Sequence, residues 1–120
     1  MAKVKIRQYP TVDLLAAQEK LPAVPKLRDI VINIEQYGWG VPLVITQRME
    51  VLCGCEKLLA LISIEHSHMS CVWREDLSDE QYAALERLHR LEQDSEEEWD
   101  RLSMEADLVL MNCHGAGVPN

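Results

Sequence analysis

The sequence predicts an α+β domain: a small mixed sheet carrying helices, with two further helices at the C-terminal end. Three observations carry that expectation. Val41 to Thr46 and Glu50 to Cys53 are short apolar runs around a turn, and the second ends at Gly54, where a helical pattern opens. Leu27, Ile30, Val31 and Ile34 fall at i, i+3, i+4 and i+7, which makes one apolar stripe of a helix. Ser78-Asp79-Glu80-Gln81 and Ser95-Glu96-Glu97-Glu98 are capping boxes that announce two late helices.

The elements follow in order. Val4 and Ile6 alternate with Lys3, Lys5 and Arg7, the period of an edge strand. Val12 to Lys20 has weak helical character and stops before Pro22. Pro25 suits the first turn of the stronger helix, and Gly38 is placed to end it. After the two strands, a largely buried helix is expected from Cys55 to Glu65, then a strand from Met69 to Arg74. The first capping box opens a helix to about Glu92 and the second one to about Asn112, with acidic first turns that suit the helix dipole. Residues 1–114 read as a single domain and 115–120 as a flexible tail.

At 120 residues and 48% hydrophobic composition, the chain has material for one modest core. It holds no apolar run of membrane-spanning length and no secretory signal pattern at its start. A cytoplasmic location follows as the default, with the four cysteines as reduced thiols. The formal charge of −8 is unevenly spread. Residues 61–120 carry four Lys/Arg against fourteen Asp/Glu, a net −10. That argues against direct nucleic-acid binding, which needs a basic footprint. It suits a protein partner with a basic surface, or a well solvated face.

The first place to look for chemistry is Gly54-Cys55-Glu56-Lys57. A strand that feeds a helix through glycine leaves backbone N–H groups free to hold an anion, often a phosphate. Lys57, one turn in, is placed to reach the same anion. Cys55 at the helix start is a candidate nucleophile, since that position favours the thiolate, although Glu56 opposes the shift. Its plain reading is a partly buried thiol. Cys53 reads as a resolving thiol or as core. His66, His68 and Cys71 are zinc-ligand types at close spacing, but such clusters are ordinary in loops. They cannot join Cys53 and Cys55, because the helix between spans roughly 16 Å at 1.5 Å per residue. No metal is expected. His89 and Arg90 read as a solvated ion-pair face with Glu86 and Glu92. Trp73 and Trp99 read as core or interface. Trp39, between two glycines, is either packed across the first long helix or part of a contact surface. No hydrolase triad order, H-E-x-x-H or Walker loop is present.

Several of these pieces, in this order, resemble a known superfamily. Ile30 to Ile45 resembles the helix, glycine and P-hydrophobic-hydrophobic-V strand of ParB-like N-terminal domains. Gly54 to Leu61 matches the position of their G-x-x-R-x-x-A box. Asp76 to Gln81 resembles the D-L-S-D-E-E that follows their next strand. Ser95 to Leu108, with Trp99-Asp100, is similar to the E-x-x-W-D-x-x-x-L helix of phage and mobile-element members. The resemblance covers about residues 4 to 110 and implies a ParB/sulfiredoxin-like core. Partition proteins hold a nucleoside triphosphate at G-E-R-R, and sulfiredoxins carry G-C-H-R. Here Gly54-Cys55 keeps the sulfiredoxin start, Glu56 breaks both patterns, and Lys57 keeps only the cation without the arginine fork.

What the resemblance implies is a stand-alone nucleotide-binding or regulatory module in the DNA maintenance of a plasmid, phage or other mobile element. It would hold CTP or ATP with magnesium at Gly54, Cys55, Glu56 and Lys57 and act through protein partners, with a homodimer as one arrangement. A second expectation is an acidic interaction protein that inhibits a host defence or DNA-binding enzyme without any ligand. A third is a sulfiredoxin-like thiol enzyme using Cys55, or a nuclease. An enzyme is the least supported of the three.

Overall fold

The computed structural model describes residues 4–20, 23, 27–94 and 98–111. They form an α+β domain with a mixed four-stranded sheet and five α-helices. Strand β1 is Arg7–Pro10 and leads straight into helix α1, Thr11–Ala16. Helix α2 is Leu27–Tyr37, β2 is Leu43–Ile45, β3 is Val51–Cys53 and α3 is Cys55–Ser63. Strand β4, His68–Trp73, ends in a single 3₁₀ turn before α4, Asp79–Glu92, and α5, Trp99–Met111. Pro25, the second capping box and the tail at 115–120 lie outside the described residues.

The sheet order is β1-β4-β2-β3, with β2 parallel to β4 and the outer pairs antiparallel. Both faces of the central strands are covered, which is why Leu43-Val44-Ile45 is continuously apolar rather than alternating. Leu43, Ile45, Met69 and Cys71 pack with Leu14, Ile30, Leu58 and Leu61 from α1 to α3. Val44 and Val72 point the other way and pack with Leu85, Leu88, Leu102 and Leu110 from α4 and α5. The register Leu43 to Cys71 and Val44 to Val72 keeps the two sets apart.

Two elements differ from the sequence expectation. The first strand begins at Arg7 and not at Val4, because the Val4 N–H donates to the Leu110 carbonyl at 3.2 Å and Val4 is buried against the end of α5. The first helix ends at Ala16, short of Lys20, because Gln18 folds back on it. Its Nε2 donates to the Leu14 and Met49 carbonyls and its Oε1 accepts from the Val51 N–H. That amide ties the helix to the β2–β3 turn. The capping box at Ser78 forms with both of its bonds, Gln81 N–H to Ser78 Oγ and Ser78 N–H to Gln81 Oε1.

Candidate functional site

The strand-to-helix corner stands where its residues place it. β3 ends at Cys53, Gly54 sits at φ +97°, and α3 starts at Cys55 with no side chain capping it. Glycine is required here twice over. The left-handed backbone disfavours a Cβ, and a Cβ would stand 2.5 Å from Leu43 Cδ2 and 2.8 Å from His89 Cε1.

Lys57 is buried, at 3% exposure. It shares the inward face of α3 with Leu58, Ala60 and Leu61, and its ammonium meets Glu92 Oε1 at 2.7 Å. It also donates to the Val41 carbonyl and lies 5.2 Å from the centre of the Trp99 ring. Glu92 is as deeply buried as its partner. Its Oε2 accepts the Val41 N–H at 2.6 Å, and its own carbonyl accepts the Trp99 indole N–H at 3.1 Å. His89, one turn earlier on α4, places Nδ1 3.4 Å from Glu92 Oε1, and its Nε2 donates to the Pro42 carbonyl at 2.8 Å. The open volume left among these groups is about 10 Å³, space for one water at most. The expectation of a solvated face for His89 with Glu92 is therefore corrected: both lie inside, because Gln81, Leu85, Leu88 and Glu92 recur on the inward stripe of α4.

Burial pushes the Lys57 ammonium below the usual lysine range, against the pull of Glu92. Burial alone would drive the Glu92 carboxyl up, but Lys57 and His89 outweigh it and hold the group below the usual carboxylate range. Burial holds His89 below its usual value, with Glu92 opposing and Lys57 assisting. The trio is a dry, satisfied ion cluster of the kind that is costly to leave half-made.

Beside Gly54 the surface carries a cleft of about 220 Å³ lined by Leu52, Glu56, Glu86 and Arg90 among others. Its cation, Arg90, already faces Glu86 at 3.8 Å. Cys55 borders this corner half-buried, and burial with the Glu56 charge pushes its thiol up, the reverse of what a nucleophile needs. Burial raises Cys53 as well, and pushes Cys71 up to about 12. The zinc trio is broken by strand alternation: His68 is exposed, while Cys71 is buried in the sheet face beneath α1 to α3. No cluster of three metal-ligand residues exists among the described residues.

The second feature is a cleft beside the loop that the ion cluster holds, which sequence reasoning touched only through Trp39. The loop after α2 holds Gly38, Trp39 and Gly40, and it is fastened from below by the ion cluster through Val41 and Pro42. A Cβ on Gly40 would fall 2.0 Å from Glu92 Oε2, so only glycine lets the loop lie on that carboxylate. Trp39 stands out at 39% exposure, edge-on to the His66 ring at 3.7 Å between centroids. It overlooks two adjoining hollows that share Trp39 and Ser70. One, of about 150 Å³, is lined by Gln8, His66 and His68, with Gln8 Nε2 donating to Ser70 Oγ at 2.7 Å. The other, of about 240 Å³, is lined by Ile6, Tyr37, Pro42, Ser103 and Asp107. The signal for this cleft was the bulky ring flanked by glycines. The signal missed for the cluster was a lysine and a glutamate each standing on an apolar helical stripe.

Comparison with protein-family models, curated proteins and solved structures finds no match for this chain. No helix among the described residues is long and apolar enough to cross a membrane.

Proposed function

We propose that this chain forms a ParB/sulfiredoxin-like domain that works without a nucleotide, as a regulatory module binding a partner protein through that partner's basic surface. The setting suggested by the sequence resemblance is the DNA maintenance of a mobile element, where covering a basic surface would block a DNA-binding enzyme.

The observation that carries this reading is the outer face of α5. Met104, Leu108 and Met111 stand 67%, 65% and 59% exposed at helical spacing. Asp100 and Asp107 are exposed on the same helix. An apolar stripe left in solvent beside acidic groups has the make-up of an interface: an adaptable methionine-rich centre and a charged rim. The net −10 of residues 61–120 supplies the long-range attraction for a basic partner.

A nucleotide at Gly54, Cys55, Glu56 and Lys57 remains the second reading, supported by the uncapped start of α3 above its cleft. Against it, the lysine that would meet the phosphates is engaged by Glu92, and Glu56 and Glu86 line the opening. The cleft is also below the roughly 300 to 1,000 Å³ of ordinary small-molecule sites.

Affinity capture from the native host, followed by reconstitution with the purified partner, tests the proposal. The expected result is a partner with a basic surface whose affinity falls as salt is raised and is lost in the double variant Met104→Asp, Leu108→Asp. Stoichiometric binding of CTP or ATP with magnesium by calorimetry, or partner binding indifferent to both salt and that variant, overturns it.

A further inference from the structure

We propose that the cleft beneath Trp39 is the anchor point for an arginine side chain of the partner, its guanidinium lying on the Trp39 ring and paired with the Asp107 carboxylate. This rests on the preceding reading that the partner is a basic protein, and it names the group recognised.

Four observations converge on it. Trp39 lines both hollows and is 39% exposed, and its indole N–H has no acceptor among the described residues. Asp107 lines the same hollow, is exposed, and has no ion pair or hydrogen bond among the described residues. No lysine or arginine lines either hollow, and burial together with His68 holds His66 below its usual value, so no fixed cation opposes an incoming one. Gln8, Ser70 and Ser103 supply further acceptors at the walls.

A planar cation between an indole and a carboxylate gains from both a cation–π contact and a charge-assisted hydrogen bond. Arginine is favoured over lysine because its flat guanidinium stacks and forks at once. At about 240 Å³ the hollow is small for a drug-sized ligand, and it opens beside α5, on which Asp107 itself stands. An arginine reaching in from a protein docked on α5 meets both conditions. The ion cluster is what makes the anchor rigid: Glu92, Lys57 and His89 hold the loop backbone at Val41 and Pro42, so Trp39 is presented at a fixed height.

The test is a titration of the ¹⁵N-labelled protein with a blocked Gly-Arg-Gly peptide and its citrulline counterpart, a neutral isostere. The expected result is a saturable shift of the Trp39 indole N–H in the millimolar range, with Trp73 and Trp99 unmoved and the citrulline peptide at least tenfold weaker. Asp107→Asn, at an exposed position where folding is not at risk, should weaken the arginine peptide about threefold, and Trp39→Leu should abolish the peptide-induced shifts of the flanking Gly38 and Gly40 backbone amides. Equal binding of the citrulline peptide, an Asp107→Asn affinity equal to the parent's, or a static Trp39 resonance at millimolar arginine peptide each overturns the proposal. Failure here is separable from failure of the partner reading. A captured basic partner that binds Trp39→Leu and Asp107→Asn undiminished sinks the anchor alone. Arginine-peptide binding at Trp39 without any basic partner sinks the partner reading alone.

Discussion

The Gly54 corner and the Trp39 cleft are opposite solutions to placing polar groups in a small domain. At the corner, three ionisable side chains, Lys57, His89 and Glu92, are almost completely dry and face one another or backbone carbonyls and amides. At the cleft, an indole, the His68 imidazole, a glutamine and a carboxylate stand open to solvent beside a half-buried His66, around hollows of about 150 and 240 Å³. The corner has the sequence features of a ligand site and the geometry of a structural staple. The cleft has modest sequence features and the geometry of a binding surface. Satisfied polar groups hold a fold, and groups with bonding capacity left over are available for recognition.

The sharpest way to break this contrast is to disarm the corner. Glu92→Ala leaves Lys57 buried without an anionic partner, and we expect a loss of about 3 to 5 kcal/mol by urea unfolding. A loss under about 1 kcal/mol would mean that the pair is loose and that Lys57 is free for other work.

Gly40→Ala tests the link between the two regions. The new methyl would collide with Glu92 Oε2 in a left-handed backbone at φ +73°, so a loss of about 1 to 3 kcal/mol is expected. Gly38→Ala is the control: its Cβ would meet nothing within 4 Å, leaving only the backbone cost of about 1 kcal/mol.

Acid should undo the corner before the cleft. Glu92 and His89 each bind a proton less readily in the fold than in the unfolded chain, so the unfolded state takes up more protons and stability rises with pH. The His89 contribution should begin to fail as pH drops below its ordinary 6.5, and that of Glu92 below its ordinary 4.5. Lys57 has the same sign at higher pH, its burial cost easing as pH climbs toward 10.5. Urea midpoints should therefore fall steadily from pH 7 to pH 4, and a flat profile over that range would contradict the buried cluster.

Trp39→Ala should have the smallest effect on folding, about 1 kcal/mol, reflecting the edge contact with His66. Its effect on arginine-peptide binding should be complete.

Much of the architecture was legible in local patterns. The stripe Leu27, Ile30, Val31 and Ile34 and the box at Ser78 announce their helices, and the Gly54 transition falls between β3 and α3 as expected. The start of β1 was not legible, since a long-range bond from Val4 to Leu110 decides it and no local period encodes that. The site was half legible. Gly54 is where it should be, but the direction of Lys57 depends on a glutamate 35 residues later whose charge masks its place on an apolar stripe. Charge alone made Glu92 read as surface, whereas spacing from Leu85 and Leu88 put it inside. The Trp39 cleft escaped because its walls come from four separate parts of the chain.

The most direct test of the account is a double-mutant cycle on Lys57→Met and Glu92→Leu, read as unfolding free energies of the four proteins. A buried, mutually dependent pair should give a coupling of about 2 kcal/mol or more, with the double variant recovering most of what either single change loses. Additivity within about 0.5 kcal/mol would mean the two residues do not meet, and the corner would again be open to a ligand.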